Sequence, residues 1–345
     1  MNKKESILSA SRIKTLESCS WLYWCKYYLK LPEKGNSGAL RGTVCHLILE
    51  LLLKKRHKKH FNSITKEGHI KASKPVDKIV RKFLKKHELL TSNEGEQLLL
   101  EEDHYELCSD MILVALKNDF FCKGGKLLEP EYEFLIENED PPYKVMGYMD
   151  KTATYDKDKK IVISDYKTSK RKFAGEDLDS NLQGLIYSLA ATKIWPKLKP
   201  VINFLFLKFP RKPVQELNFK ESQLNGLEYY LSHVFKIINN FNSDVAETNF
   251  ASDQPMPPKN GGFKGPLNCG FAKRKGQLKK NGALMWHCPF KFDFEYYILT
   301  DKDNNIVSSA LSEEELPKPK KEQSIHKKHY DGCPAHKQGK DPFDF

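Results

Sequence analysis

With 345 residues, the chain is long enough for one large core, or a core carrying a satellite domain. A hydrophobic fraction of 39% with 20 Phe supports a packed interior and excludes a compositionally disordered chain. Lys and Arg number 57 against 45 Asp and Glu, and a net charge of +12 suits a polyanionic partner, because each phosphate contact releases condensed counterions.

The opening residues, MNKKESILSASR, are polar and basic and lack the apolar stretch of a signal peptide. No run of about 18 apolar residues occurs anywhere, so no membrane span or membrane partner is expected. Residues 9–30 begin with serines suited to capping a helix and lead into Trp21, Tyr23, Trp24, Tyr27 and Tyr28. These rings suit core packing and also base stacking on a single strand. A Gly-containing loop at 33–42 precedes a strongly apolar helix at about 42–54, which ends in the solvated run KKRHKKHF. From about 76 to 122, Tyr105, Cys108, Ile112 and Leu116 recur at helical spacing.

The period then changes. EPEYEFLI (129–136) alternates charged and apolar residues as a half-buried strand does. Residues 144–156 and 159–168 flank Lys157 and Asp158 and predict an antiparallel hairpin. A helix follows at 181–195, and VINFLFLKF (201–209) reads as a core strand covered on both faces. Leu224, Leu227, Leu231, Val234, Ile238 and Phe241 mark a long amphipathic helix. Residues 251–285 read as a Gly/Pro/Lys-rich linker, 297–311 as a hairpin around DKDNN, and 316–345 as a mobile basic tail. The expected organisation is a helical region at 1–125, a core at 126–250, a Cys-containing extension packed on that core at 251–315, and the tail at 316–345. The expected fold class is α/β (α+β), a mixed sheet flanked by helices with a helical N-terminal elaboration.

The chemistry concentrates in MGYMDKTATYDKDKKIVISDYKTSK, residues 146–170. Side chains alternate along a strand, so Asp165 and Lys167 share one face, and Asp150 on the preceding strand can converge on them. Two carboxylates on one point bind a hard divalent cation, Mg2+ or Mn2+. A neighbouring lysine can orient water or stabilise charge on a scissile phosphate. A D-x-K triplet alone is more often part of a solvated surface hairpin. Here Ile161, Val162 and Ile163 run an apolar strand straight into it, as when a core strand delivers a site to its end.

The order of landmarks over residues 8–210 resembles the RecB/AddB-type exonuclease domain of the PD-(D/E)XK nuclease superfamily, also related to CRISPR adaptation nucleases. The carrying segments are SASRIKTLESCSWLYW, Gly42-Thr-Val-Cys-His46, Glu131 (or Glu133), Gly147-Tyr-Met-Asp150, Asp165-Tyr-Lys167-Thr168, and Gln183 with Tyr187 on a helix. The resemblance implies a restriction-endonuclease-like core. It implies that His46, Asp150, Asp165 and the Tyr166 carbonyl ligate the metal. It further implies Lys167 as the catalytic lysine, with Glu131, Gln183 and Tyr187 completing the catalytic set. DNA, as single strands or duplex ends, would cross a basic groove lined in part by Lys170, Arg171 and Lys172.

Some members of that family hold a 4Fe-4S cluster through one cysteine before the nuclease motifs and three after them. Cys19 stands at the upstream position and Cys269, Cys288 and Cys333 lie downstream, with Cys288 in HCPF. The compact C-x-x-C of the family is missing, so Cys25 and His287 are substitutes to weigh. A Cys/His zinc site and unliganded thiols are the other readings. Eight cysteines without an export signal argue against a disulfide framework and point to the cytoplasm, a host's if the chain is phage-encoded.

The function expected from all this is a metal-dependent deoxyribonuclease, an exonuclease in recombination, repair or replication. No P-loop motif is present, so a helicase or recombination partner would be a separate protein. The alternatives are a non-catalytic DNA-binding scaffold and a structure-specific or RNA-directed endonuclease.

Overall fold

The computed structural model describes residues 6–33, 36–54, 57–87, 91–94, 97–254, 269–270, 272–282 and 284–336. It divides into two compact units. One comprises 1–10 and 36–239, the other 11–35 and 240–345.

The larger unit begins with four helices: α1 (Ser37–Leu53), α2 (Lys58–Glu67), α3 (Lys74–Lys86) and α4 (Glu101–Leu116). Asn36 caps α1 by accepting the Ala39 N–H on its side chain, which satisfies one of the orphan donors of the first turn. Between α3 and α4 lies a hairpin, β1 (Thr91–Glu94) and β2 (Gln97–Leu100), where the helical period predicted no strand. Val44, Ile48, Leu49 and Leu52 of α1 pack with Val80 and Leu84 of α3 and with Cys108 and Ile112 of α4. Tyr166, Leu205 and Leu207 join the same cluster, which docks the helices on one face of a sheet. The histidine-bearing helix and the sheet thus share one core, across the boundary expected at residue 125.

That sheet is five-stranded in the order β3 (Lys126–Leu127), β6 (Lys151–Tyr155), β7 (Lys160–Lys167), β8 (Lys199–Phe206) and β9 (Val214–Leu217). β7 and β8 are parallel and the other pairs antiparallel. The β7–β8 connection carries helix α5 (Leu182–Ile194), as a parallel crossover requires. A separate antiparallel pair, β4 (Tyr132–Glu139) and β5 (Pro142–Met149), packs on α6 (Glu221–Asn239). Sequence alone predicted one strand over 144–156. The chain instead leaves the β4–β5 pair after Met149, bends at Asp150 and enters the five-stranded sheet at Lys151. Asp150 therefore sits at the corner between two sheets. The fold is a mixed sheet flanked by helices, as expected.

In the smaller unit, a helix at Ala10–Ser18 and a short turn lead to a π-helical segment at Trp24–Tyr28. Tyr23, Trp24 and Tyr28 pack around Phe241, with Trp24 and Tyr28 stacked at 4.8 Å. The unit also holds a three-stranded antiparallel sheet, β11 (Ile306–Ala310), β10 (Phe294–Thr300) and β12 (Ser324–Tyr330). β10 and β11 form the hairpin expected around DKDNN. β12 lies within the segment read as a mobile tail. It is ordered because Tyr330 buries its ring among Cys25, Leu31 and Phe290 and donates its hydroxyl to the Phe290 carbonyl at 2.9 Å.

Candidate active site

His46 lies on α1, whose approach to the end of β7 depends on a glycine one turn earlier. A Cβ at Gly42 would stand 3.0 Å from Thr168 Oγ1, so the G-x-x-x-H spacing lets the helix pass close to Thr168. His46 Nε2 bonds the Tyr166 carbonyl at 3.0 Å. A carbonyl only accepts, so Nε2 carries the proton and Nδ1 is left facing Asp150 Oδ2 at 3.4 Å. Asp150 is 7% exposed and accepts the Tyr166 N–H on Oδ2 at 2.7 Å, which ties the corner between the sheets to β7.

Glu131 stands at the entry to β4 with φ at +52°, the left-handed region that non-glycine residues seldom adopt. Its N–H donates to the Asp150 carbonyl at 3.2 Å. Ligand atoms of His46, Glu131 and Asp150 all lie within 4.8 Å of one another. Donors at about 2.0–2.6 Å from one ion fall within such a spacing, so this imidazole and its two carboxylates fit a divalent cation. Sequence left Glu131 and Glu133 as alternatives. The structure puts Glu131 in this cluster and Glu133 on an exposed hairpin face.

Asp165 and Lys167 lie beside this trio, in a hydrogen-bonded set of their own. Lys167 Nζ is 2.6 Å from Asp165 Oδ1 and donates to Gln183 Oε1 at 2.6 Å. Gln183 Nε2 donates to Asp165 Oδ2 at 2.7 Å and to the Tyr187 hydroxyl at 2.8 Å. The Tyr187 hydroxyl in turn lies 2.7 Å from the Tyr148 carbonyl and 3.0 Å from Asp165 Oδ2. Gln183 and Tyr187 are one turn apart on α5, the spacing that lets both reach one carboxylate. The Phe204 ring lies 5.2 Å from Lys167 Nζ and closes the lysine's apolar side.

Electrostatics follow from this crowding. Burial pushes the Asp165 carboxyl up, the Asp150 charge adds to it, and the Lys167 ammonium opposes both. Burial also raises Glu131 to about 7, reinforced by Asp150. Burial disfavours the charged His46 ring, yet its bond to Asp150 and the surrounding carboxylates outweigh that and raise it to about 9. The negative charge gathered here beyond what Lys167 offsets is what a cation would neutralise.

Lys170, Arg171 and Lys172 follow β7 in a loop, the first two exposed and Lys172 donating to the Lys212 carbonyl. In the smaller unit, Cys19, Cys269, Cys288 and Cys333 line one cavity with Trp21 and Phe290. Among the described residues they do not form a set with all ligand atoms within 4.8 Å. Zinc would need sulfurs about 3.8 Å apart. Burial pushes the thiols of Cys288 and Cys333 up, to about 11 and about 12. Cys25 packs beside Phe290 and Cys288, with its thiol against the Tyr330 hydroxyl at 3.6 Å, and His287 bonds the Cys288 carbonyl. Sequence reasoning missed the Tyr148 carbonyl, which anchors Tyr187. Its signal is the G-x-x-D motif itself, because a Cβ at Gly147 would meet the Phe134 ring at 2.7 Å.

A family model described as the PD-(D/E)XK nuclease superfamily matches residues 7–262. No curated protein matches the chain. Among solved structures, the chain is similar to protein VC1899 from Vibrio cholerae, with 11% identity and a TM-score of 0.21, over 67% of this chain. The alignment spans 58% of that protein's length. No helix of the described residues is long and apolar enough to cross a membrane.

Proposed function

Because the chain belongs to the PD-(D/E)XK nuclease superfamily, we propose that it is a Mg2+- or Mn2+-dependent deoxyribonuclease, an exonuclease of RecB/AddB type acting in recombination, repair or replication. The observation that carries this reading is the placement of the His46, Glu131 and Asp150 donors beside the Lys167, Asp165, Gln183 and Tyr187 network.

His46, Glu131 and Asp150 would hold the cation, with Asp165 and the second lone pair of the Tyr166 carbonyl as further donors. When bound, a divalent cation polarises a phosphoryl oxygen and acidifies water. Lys167 presents an ammonium toward the same place, where it can stabilise developing charge on phosphate or orient the attacking water. Gln183 fixes the lysine by accepting from Nζ while donating to Asp165, so the two charged groups keep their separation during the reaction. Tyr187 donates to the Tyr148 carbonyl and accepts from Gln183, which also holds Asp165, so the network links the β5 backbone to β7. The exposed Lys170 and Arg171 suit contacts to the polynucleotide backbone.

We propose Cys19, Cys269, Cys288 and Cys333, whose side chains line one cavity, as the ligands of a 4Fe-4S cluster or of zinc. All eight cysteines are free, in keeping with a reducing cytoplasm.

The test is degradation of end-labelled linear and closed circular DNA with Mg2+ or Mn2+, beside Asp165→Ala and Lys167→Ala. The exonuclease reading expects linear DNA to be consumed from its ends, circles to survive and both variants to be inactive. Cutting of circles would replace it by an endonuclease. DNA binding without cleavage under either metal would replace it by a non-catalytic scaffold.

A further inference from the structure

The β4–β5 hairpin leads outward from the carboxylates. The Glu131 N–H to Asp150 carbonyl bond extends the ladder one step beyond the Tyr132 and Met149 pair. Two positions along from Glu131 and Asp150, Glu133 faces Tyr148 across the strand pair. Leu135 follows, opposite Met146. Tyr148 is 48% exposed and Leu135 51% exposed, so two large side chains on neighbouring strands turn outward beside a polar centre.

The Tyr148 ring is held in place. Its hydroxyl donates to Glu133 Oε1 across the strand pair at 3.2 Å, and its carbonyl accepts from the Tyr187 hydroxyl. The ring therefore lies over the hairpin and is tied to the Asp165 network. Glu133 and Glu137 are exposed along the same strand, and their charges repel phosphates. What suits this face is a base, not the polynucleotide backbone. At about 3.4 Å per residue, Tyr148 stands about 7 Å along the strand from Asp150, within reach of a base whose neighbouring phosphate is at the carboxylates.

We propose that Tyr148, flanked by Leu135, is a stacking platform for an unpaired base next to the reacting phosphate, which makes single-stranded nucleic acid the preferred substrate. The proposal rests on the nuclease reading. Bases within a duplex stack on each other and leave no face for the tyrosine, whereas an unpaired base has one to offer.

The test uses the full chain and a single-stranded oligonucleotide carrying 2-aminopurine, a fluorescent base quenched on stacking, with Ca2+ replacing Mg2+ in the binding arm. Wild type, Tyr148→Phe and Tyr148→Ala are compared, and the same oligonucleotide and its blunt duplex are then hydrolysed with Mn2+. Tyr148→Ala is expected to lose the quenching and to weaken single-strand binding roughly 5- to 150-fold, the range for one base–aromatic stack. Tyr148→Phe keeps both, and Tyr148→Ala loses far less on the duplex than on the single strand. Equal quenching in Tyr148→Ala, or equal losses on duplex and single strand, would overturn the platform. If the wild type hydrolyses nothing, the nuclease reading fails, while the fluorescence arm still decides the platform.

Discussion

Lys167 Nζ lies 2.6 Å from Asp165 Oδ1, although only Tyr166 separates the two residues in sequence. Both side chains leave β7 on one face, and the carboxyl is 3% exposed. The ammonium is the charge that keeps this buried carboxyl ionisable, and Gln183 bonds to both.

Removing the lysine should therefore abolish turnover more than binding. Lys167→Ala is expected to lower kcat by about 10²–10³, the usual cost of deleting one preorganised charge, with KM little changed. Gln183→Ala should give a smaller kcat loss of the same kind. Steady-state kinetics on labelled DNA separate the two parameters, and a pure KM effect in Lys167→Ala would contradict the assigned role.

Cation binding should depend on pH. Without metal, His46 holds its extra proton below about 9 and Glu131 is protonated below about 7. A cation takes the deprotonated donors, so each bound proton competes with it. Affinity for Mn2+ should fall as pH drops through about 9, and more steeply below about 7, where two protons must leave. Calorimetric titration in buffers of different ionisation enthalpy counts those protons; pH-independent affinity would remove both residues from the ligand set.

The Gly42 contact can be tested by a pair of changes. Gly42→Ala places a methyl about 3.0 Å from Thr168 Oγ1 and should push α1 and His46 outward, weakening Mn2+ affinity several-fold. Thr168→Ala in the same chain removes the opposing atoms and should restore most of it. An unrestored double variant with native stability would mean that the glycine matters for another reason.

For the cysteines, protein purified without oxygen is expected to carry iron and acid-labile sulfide and a broad visible absorbance. Cys19→Ser and Cys288→Ser should each lose them. Mn2+ binding should persist, because His46, Glu131 and Asp150 belong to the other compact unit. Stoichiometric zinc, or no metal at all, would decide against the cluster.

Local chemistry was legible in the sequence wherever one strand or one helix turn carries it. Asp165 and Lys167 share a face because of the strand period, and Gln183 and Tyr187 share one because of the helix period. The hydrophobic patterns likewise located β7, β8, α5 and α6, since burial of those positions needs no knowledge of the partner. Pattern did not reveal the break at Asp150, because only the pairing of the flanking strands with β4 or β7 separates them. The choice between Glu131 and Glu133 was likewise tertiary: both are strand-edge glutamates, and the left-handed turn at Glu131 with its bond to Asp150 selects one. The meeting of His46 with Asp150 and Tyr166 joins residues more than a hundred positions apart, a contact that packing of α1 on the sheet creates and that no local period encodes.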